Sequence, residues 1–592
     1  MKEHKQIFQI ADALRGSMRV EDSLSTAIQL LALTKVSACR SVERDLFNAE
    51  TVVVGSGPLL DNPANWEAAS GTEGLAFAGL YKFSQDDPVG FRAALDICQK
   101  MQSKGILDSF DATDIATLAY QPQSGEWAIP PEVADLMVGL AGPVSGDTVY
   151  APWDAGIQLG GRVTKCDASA YIDIPIFKPL TAAIALLQGG SVYLNCSDPV
   201  RNPSAVESGK LKKFTSAISV PPFNQKYPPG TADSDWYGRF PEKEASGNVL
   251  AIRHLLAQSE RKVVVAITNS LLFSQGSEQS LRKDLLMRGF VEAVIAMPSG
   301  LFANTNISFS IIVLDSRAGH SRVRFVNADT EDYREPISKA KSRLKNVVHL
   351  IDLVNSDNDS VNAVSIRSSD LVTNDAQLQV SRYVLPDSKK AALSMIRERT
   401  LCSLDSIATT HRPILSYSGD GETIQAHEIG MGDIPQFGFI KSPGRILQID
   451  ATSKTKSAHL FLRPFDIILV VKGNVGKVGI MPPSVAAPGS GGWVAGQSAI
   501  VIRVKNQKDF DPRALLVLLR SSLGQELLKG IVVGASMPLI QIRELMMLEI
   551  PVPTPEEAAR AISSLEQEAR LQEEIDALIS KQAEQTNGLW KV

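Results

Sequence analysis

A chain of 592 residues is too long for one hydrophobic core, so three or four domains are expected. Apolar residues at 44% and charged residues at 21% are ordinary for a globular protein, and no apolar run is long enough to span a bilayer. A net charge of −5 does not by itself favour nucleic acid. Five scattered cysteines (Cys39, Cys98, Cys166, Cys196 and Cys402), none in a CxxC pair, argue against disulfides and against a structural zinc site, and read as small buried apolar residues. Met1-Lys2-Glu3-His4-Lys5-Gln6 has no signal-peptide layout, so a cytoplasmic location is expected. Neither a membrane partner nor a metal is expected.

Residues 1–115 read as a helical domain, with Ile7, Ile10, Ala11 and Leu14, then Leu24, Ala27, Ile28 and Leu31, at three- and four-residue spacings broken at Gly16-Ser17. Residues 116–345 alternate short β-branched strands (148–151, 192–194, 216–219, 263–268, 291–296, 311–314) with helices (131–140, 179–188, 249–258, 278–288). That alternation predicts an α/β domain on a mostly parallel sheet, with ligands at the carboxyl ends of its strands. Residues 346–395, rich in Ser, Asp and Asn, read as a connector. Residues 396–553 read as an α+β domain with strands at 465–471 and 498–504 and a helix at 512–523. Between Ala451 and Lys508 eight Lys or Arg face one acid, Asp466, a possible phosphate-contacting surface. Residues 554–592 are mostly one long helix. Thr554 and Glu557 spell a capping box around Pro555, and Ile562, Leu565, Ala569, Leu571, Ile575 and Leu578 carry an apolar stripe for a partner helix or for the chain's own domain.

Several segments resemble the modification subunit of type I restriction–modification systems. Gly125-Glu126-Trp127-Ala128-Ile129-Pro130 is similar to its Gly-Glu-aromatic-x-x-Pro motif, and Phe214 to Phe223 looks like its strand and Asn-Pro-Pro-Phe loop. Residues 263–273, Leu281-Arg282-Lys283, 294–302 and Ile10 to Gly16 follow the family as well. After residue 400, Arg463-Pro464-Phe465-Asp466-Ile467-Ile468-Leu469, Gly473 to Val478, 516–524, Gly534-Ala535-Ser536-Met537-Pro538 and Leu548 to Pro553 resemble half of the specificity subunit of the same systems. The resemblance implies a Rossmann-like class I methyltransferase domain fused to one DNA target-recognition domain. The long helix then serves dimerisation, because two copies would rebuild a bipartite reader with two-fold symmetry.

Adenine-N6 methylation in that family needs a glycine-rich turn that admits S-adenosylmethionine, and acceptors for the amino hydrogens of an extruded base. This chain departs at both. The degenerate catalytic motif is Val220, Pro221, Pro222 and Phe223, and Val220 offers no acceptor where the family has Asn. One unpaired amino hydrogen costs about 1–3 kcal/mol. Ser219 cannot substitute, because neighbouring strand residues point to opposite faces. Pro221, Pro222 and Phe223 keep the loop shape and the stacking ring. In the cofactor turn Ala151 replaces an acid, and Ile157 and Gln158 stand at glycine positions. The remaining cofactor-binding candidates are Trp127, Pro130, Pro152, Gly156 and Asp173, the last placed where an acid would bind the ribose hydroxyls, although a lone Asp reads more plainly as a surface residue.

The expected function is therefore sequence-specific binding of double-stranded DNA within a restriction–modification-like or phage-defence complex. The methyltransferase half is then an inactive pseudoenzyme without cofactor, and a nuclease or translocase subunit comes from another chain. The alternatives are a working S-adenosylmethionine-dependent adenine-N6 methyltransferase, and an assembly scaffold whose recognition domain binds protein. The DNA-contact candidates are Lys454, Lys456, Lys472, Asn474, Lys477, Trp493 and Gln497, the last two in a Gly-rich loop at 489–497. Each Lys reads equally as a solvated surface residue, and Asn474, between Gly473 and Gly476, as a turn residue.

Overall fold

The computed structural model describes residues 2–14, 20–40, 71–119, 128–176, 178–223, 225–303, 305, 307–338, 340–385, 394, 396, 399–412, 423–441, 443–450, 461–533 and 538–587. They fall into two compact units, Met1–Val384 and Leu385–Val592.

The first unit is built on nine strands, numbered here in chain order: β1 (Thr148–Tyr150), β2 (Ser169–Ile174), β3 (Val192–Cys196), β4 (Ser216–Ser219), β5 (Lys262–Thr268), β6 (Val291–Ala296), β7 (Phe309–Asp315), β8 (Arg322–Asn327) and β9 (Ala363–Arg367). Their order across the sheet is β9-β8-β6-β7-β5-β4-β1-β2-β3. β1 to β6 and β8 pair in parallel, while β7 runs antiparallel between β5 and β6, and β9 antiparallel along β8. All seven residues of β7 are buried, as are six of the seven in β5. A continuous apolar run of this kind marks a strand covered on both faces. The expected strands are all present, and β2, β8 and β9 join them. β2 escaped notice because Tyr171 and Asp173 interrupt its apolar run.

The expected helices appear as Pro131–Ala141, Pro179–Gln188, Gly247–Gln258 and Ser277–Met287. Pro131 and Pro179 sit in the first turns, where a missing N–H is harmless, and Gly142 closes the first helix at φ 58°. The N-terminal helices Lys2–Ala13 and Val20–Arg40 do not form a separate core. Ile7, Ile28 and Leu31 belong to the same buried cluster as Ile184 and Leu187, and the Lys35 ammonium donates to the Leu187 carbonyl. Val20–Arg40 is too apolar to stay uncovered on its inner face.

The connector expected at 346–395 is largely folded. It holds the helix Val347–Asn355, strand β9 and the helix Ser368–Thr373. Leu350 and Leu371 are buried, and the polar residues that suggested a linker serve turns and an edge strand exposed on one side. Arg282 ties this segment down. Only 1% exposed, it donates to the carbonyls of Ala376, Leu271 and Ser274 at 2.7, 2.6 and 2.9 Å.

The second unit has a four-stranded antiparallel sheet (Ala408–His411, Ala499–Val504, Ile467–Val470, Val478–Ile480) and a three-stranded one (Arg445–Asp450, Thr423–Ile429, Gly492–Ala495). The helix expected at 512–523 is two, Pro512–Arg520 and Ser522–Lys529, because Ser521 leaves helical geometry and caps the second through Gly524 N–H at 3.1 Å. The long helix Pro555–Asn587 opens on both halves of the expected capping box, Glu557 N–H to Thr554 Oγ1 at 3.2 Å and Thr554 N–H to Glu557 Oε2 at 2.9 Å. Its first half packs on the unit through buried Leu565, whereas Leu571, Ile575, Leu578 and Ile579 are 46–65% exposed.

Replacing Arg282 by Met should leave three core carbonyls without donors and destabilise the first unit by about 3 kcal/mol. Chemical denaturation followed by circular dichroism measures this, and an unchanged midpoint would show that the tie carries no energy.

Candidate active site

The carboxyl ends of β1, β2 and β4 converge on two loops, the turn 151–158 and the loop 220–223. Sheet-like hydrogen bonding continues past β1, with Ala151 N–H donating to Tyr171 O and Trp153 N–H to Asp173 O, at 2.8 and 2.9 Å. The chain then reverses through left-handed Trp153 (φ 64°) and Ile157 (φ 55°). A β-branched residue rarely adopts that conformation. A corner that favours glycine is taken by an isoleucine, whose side chain is fully buried.

Gln158 follows, also fully buried. Its Oε1 accepts from Ile129 N–H at 2.7 Å and its Nε2 donates to Ile129 O at 2.6 Å. The N–H groups of Gln158 and Gly160, at the start of the helix Gln158–Thr164, are taken by the Asp154 carboxylate at 2.9 and 2.8 Å. Burial pushes the Asp154 carboxyl up to about 6. Gly156 is required sterically, since a Cβ there would lie 2.8 Å from Ala116 Cβ.

Asp173 is not a surface residue. It is 1% exposed at the end of β2, where its oxygens accept from Tyr150 Oη (2.9 Å), Asn195 Nδ2 (3.2 Å), Ser204 Oγ (2.5 Å) and Ser204 N–H (3.4 Å). Tyr150 Oη also lies 3.0 Å from His254 Nε2, and Arg239 donates to His254 Nδ1 at 2.8 Å. Arg239 is pinned by Asp235 and by the carbonyls of Pro199 and Val200. Burial, then the neighbouring guanidinium, hold the His254 imidazole well below its usual range, and burial raises the Tyr150 phenol. With Nδ1 accepting from Arg239, neutral His254 donates from Nε2 to Tyr150, which donates to Asp173. None of Tyr150, Arg239 or His254 stood out in the sequence, because they lie far apart in the chain and match no motif.

In the second loop Val220 is half-buried, Pro221 buried and Pro222 exposed. Ser219 is fully buried and donates to the Pro152 carbonyl at 2.9 Å, which couples the two loops. The Phe223 ring, expected to be free for stacking, is 8% exposed and packs against Phe302 and Phe309, at 5.6 and 5.8 Å between centroids. The fold therefore brings Pro130, Pro152, Gly156 and Asp173 around one turn, while Trp127 lies outside the described residues. These residues do not fit S-adenosylmethionine in the expected manner. Asp173 has no acceptor left for a ribose diol, the helix-start N–H groups are taken, and the Gln158 side chain fills the turn.

Lys454 and Lys456 lie outside the described residues. Asn474 is exposed on a turn bounded by left-handed Gly473 and Gly476, exposed Lys472 leads into it, and exposed Gln497 is on an adjoining turn, since Lys472 N–H donates to Ser498 O at 3.2 Å. Half-buried Lys477 donates to the carbonyl of exposed Met431 at 2.8 Å. Trp493 is not in a loop. It is half-buried on the strand Gly492–Ala495, against the core. Asp466 is buried and paired with Arg503 at 2.6 Å, so one cation of the basic stretch is already neutralised.

Cys196 is exposed rather than buried, because it ends β3 at the sheet edge. Cys98 is buried, and burial pushes its thiol up to about 12. Among the described residues Glu292, Asp315 and His320 come within 4.8 Å of one another, but Lys262 pairs with Glu292 at 3.0 Å and Arg317 with Asp315 at 2.7 Å, so cations already occupy that cluster.

Residues 191–391 match the family model described as N-6 DNA Methylase. The chain is 29% identical over 217 residues to the "Type I restriction enzyme MpnII methylase subunit" of Mycoplasma pneumoniae, covering 34% of this chain and 37% of that protein. It is 26% identical over 168 residues to the MjaVII methylase subunit of Methanocaldococcus jannaschii, covering 27% of this chain and 29% of that one. The match thus spans about a third of these relatives' length. The crystal structure of a type I restriction-modification methyltransferase subunit from Streptococcus thermophilus superposes with a TM-score of 0.51 at 17% identity, covering 65% of this chain and 99% of that one, which shows a shared fold.

The raised Asp154 pKa has a defined sign. The folded state binds this proton more tightly than the unfolded chain, so the stabilisation is fully present below pH 3.8 and is lost as pH rises through about 6. Between those values the unfolding free energy of the native protein should fall relative to Asp154→Asn by about 1–3 kcal/mol. Parallel pH profiles of the two proteins would contradict it. The chain is thus similar over about a third of its length to type I methylase subunits, and it shares its fold with a solved methyltransferase subunit.

Proposed function

We propose that the chain is a methylase-type subunit of a restriction–modification-like or phage-defence assembly. Its second unit is a target-recognition domain for double-stranded DNA, and a nuclease or translocase comes from another chain. The observation that carries this reading is the N-6 DNA Methylase match at 191–391 on a fold shared with a methyltransferase subunit. The neighbouring exposed turns with Lys472, Asn474 and Gln497 support the second unit's role, with polar side chains for base edges and a cation for phosphate.

Two readings of the chemistry follow. Comparison favours a working adenine-N6 methyltransferase using S-adenosylmethionine, since the matched segment includes the 220–223 loop and the relatives are named methylase subunits. Local geometry favours the opposite. Val220 supplies no acceptor for an adenine amino group, Ile157 and Gln158 fill the cofactor turn, and Asp173 is saturated by the protein's own donors. Transfer of labelled methyl groups from S-adenosylmethionine to an adenine-containing duplex pool, with calorimetric titration of the cofactor, separates them. On the geometric reading neither signal appears, and Val220→Asn alone restores nothing because the turn is still filled. Transfer by either protein establishes the methyltransferase.

The exposed stripe Leu571, Ile575, Leu578 and Ile579 fits a homodimer through the C-terminal helix. Light scattering should give twice the chain mass, and Leu571→Glu with Leu578→Glu should halve it. A native monomer with full affinity for duplex DNA rules the dimer out. Gel shifts with no sequence preference that vanish at moderate salt would leave the second unit as a protein-binding scaffold.

A further inference from the structure

The amino ends of β4, β5 and β6 form the edge of the sheet opposite the two loops described above. Lys213 precedes β4, Glu260 precedes β5 and Phe290 precedes β6, while Arg322 starts β8 and Arg367 ends antiparallel β9. Two clefts of about 960 and 890 Å³ lie along this edge and share Arg288 as a wall. Among the described residues, Glu260 is the only acid lining either cleft. Lys210, Lys213, Arg322 and Arg367 are exposed and make no ion pair among the described residues, and Arg288 lies over the Phe290 ring at 4.5 Å with its nearest carboxylate, Asp284, at 3.8 Å.

Trp236 stands on the rim of the larger cleft, 95% exposed. Its loop is not loose. Asp235, one residue before it, holds the buried Arg239 guanidinium at 2.8 Å, and Arg239 is anchored in turn to Pro199, Val200 and His254. A large ring presented to water on a pinned loop, beside unpaired cations, has the makeup of a stacking platform with a phosphate track. A duplex keeps its base faces covered, whereas a single strand can lay one on an exposed indole.

We propose that this edge binds a single-stranded nucleic acid, with phosphates on Lys210, Lys213, Arg288, Arg322 and Arg367 and one base stacked on Trp236. The inference stands apart from the duplex reading of the second unit and from any methyl transfer, since it uses neither the 472–497 turns nor the 151–158 turn.

Fluorescence anisotropy of a labelled, mixed-sequence single strand of about a dozen nucleotides with the full chain tests it. The native protein should bind with a strong salt dependence, and combined Lys210→Glu, Lys213→Glu and Arg288→Glu should weaken binding at least about tenfold and flatten the salt slope. Trp236→Ala should cost about 5- to 100-fold, and Trp236→Phe should recover most of it. Duplex affinity should be unchanged in all these variants, so this proposal and the duplex reading can fail separately. Absence of single-strand binding at low salt, an unaltered affinity in the charge-reversed protein, or an unaltered affinity in Trp236→Ala each overturns it. Polyglutamate bound as tightly as the oligonucleotide, with the same losses, overturns it in favour of an acidic protein partner.

Discussion

The first unit turns on a bidentate contact between one side chain and one residue's backbone. Gln158 satisfies both the N–H and the C=O of Ile129, and so fixes the entry to the helix Pro131–Ala141 against the turn after β1. Buried backbone groups must find partners, and here they find them in a side-chain amide. The same turn holds its own helix start with Asp154 and fills its left-handed corner with Ile157. These contacts are all internal to the chain.

Asp173 extends the pattern to the neighbouring strand. A buried carboxylate is tolerated only when its lone pairs are matched, and four donors from Tyr150, Asn195 and Ser204 match them. Behind Tyr150, neutral His254 and Arg239 carry the chain of hydrogen bonds out to Asp235. This polar line crosses from the carboxyl edge of the sheet to the loop that displays Trp236. The two edges are therefore structurally coupled, although the network itself is too satisfied to serve as an acid or base.

The second unit separates the roles of its basic residues. Arg503 neutralises Asp466 inside the core, Lys477 ties down a loop at the Met431 carbonyl without losing its charge, and Lys472 is the exposed lysine among the described candidates. A charge count along the sequence could not draw that distinction, because burial of an ion pair depends on which strands meet, here Ile467–Val470 and Ala499–Val504.

Local chemistry wrote much of this protein directly into its sequence. The strands β5 and β6 follow from their apolar, β-branched runs, the helix starts at Pro131 and Pro179 from proline, and the cap at Thr554 from its box with Glu557, since each depends on neighbours a few residues away. The lack of a side-chain acceptor at Val220 is read from the residue itself. What only the tertiary structure decided depends on residues distant in the chain: that residues 347–373 close the sheet rather than link domains, that Phe223 turns into the core, that Trp493 sits on a strand, and that Asp173 is buried. In each case long-range packing, which no local spacing records, chose between a solvated and a buried side chain.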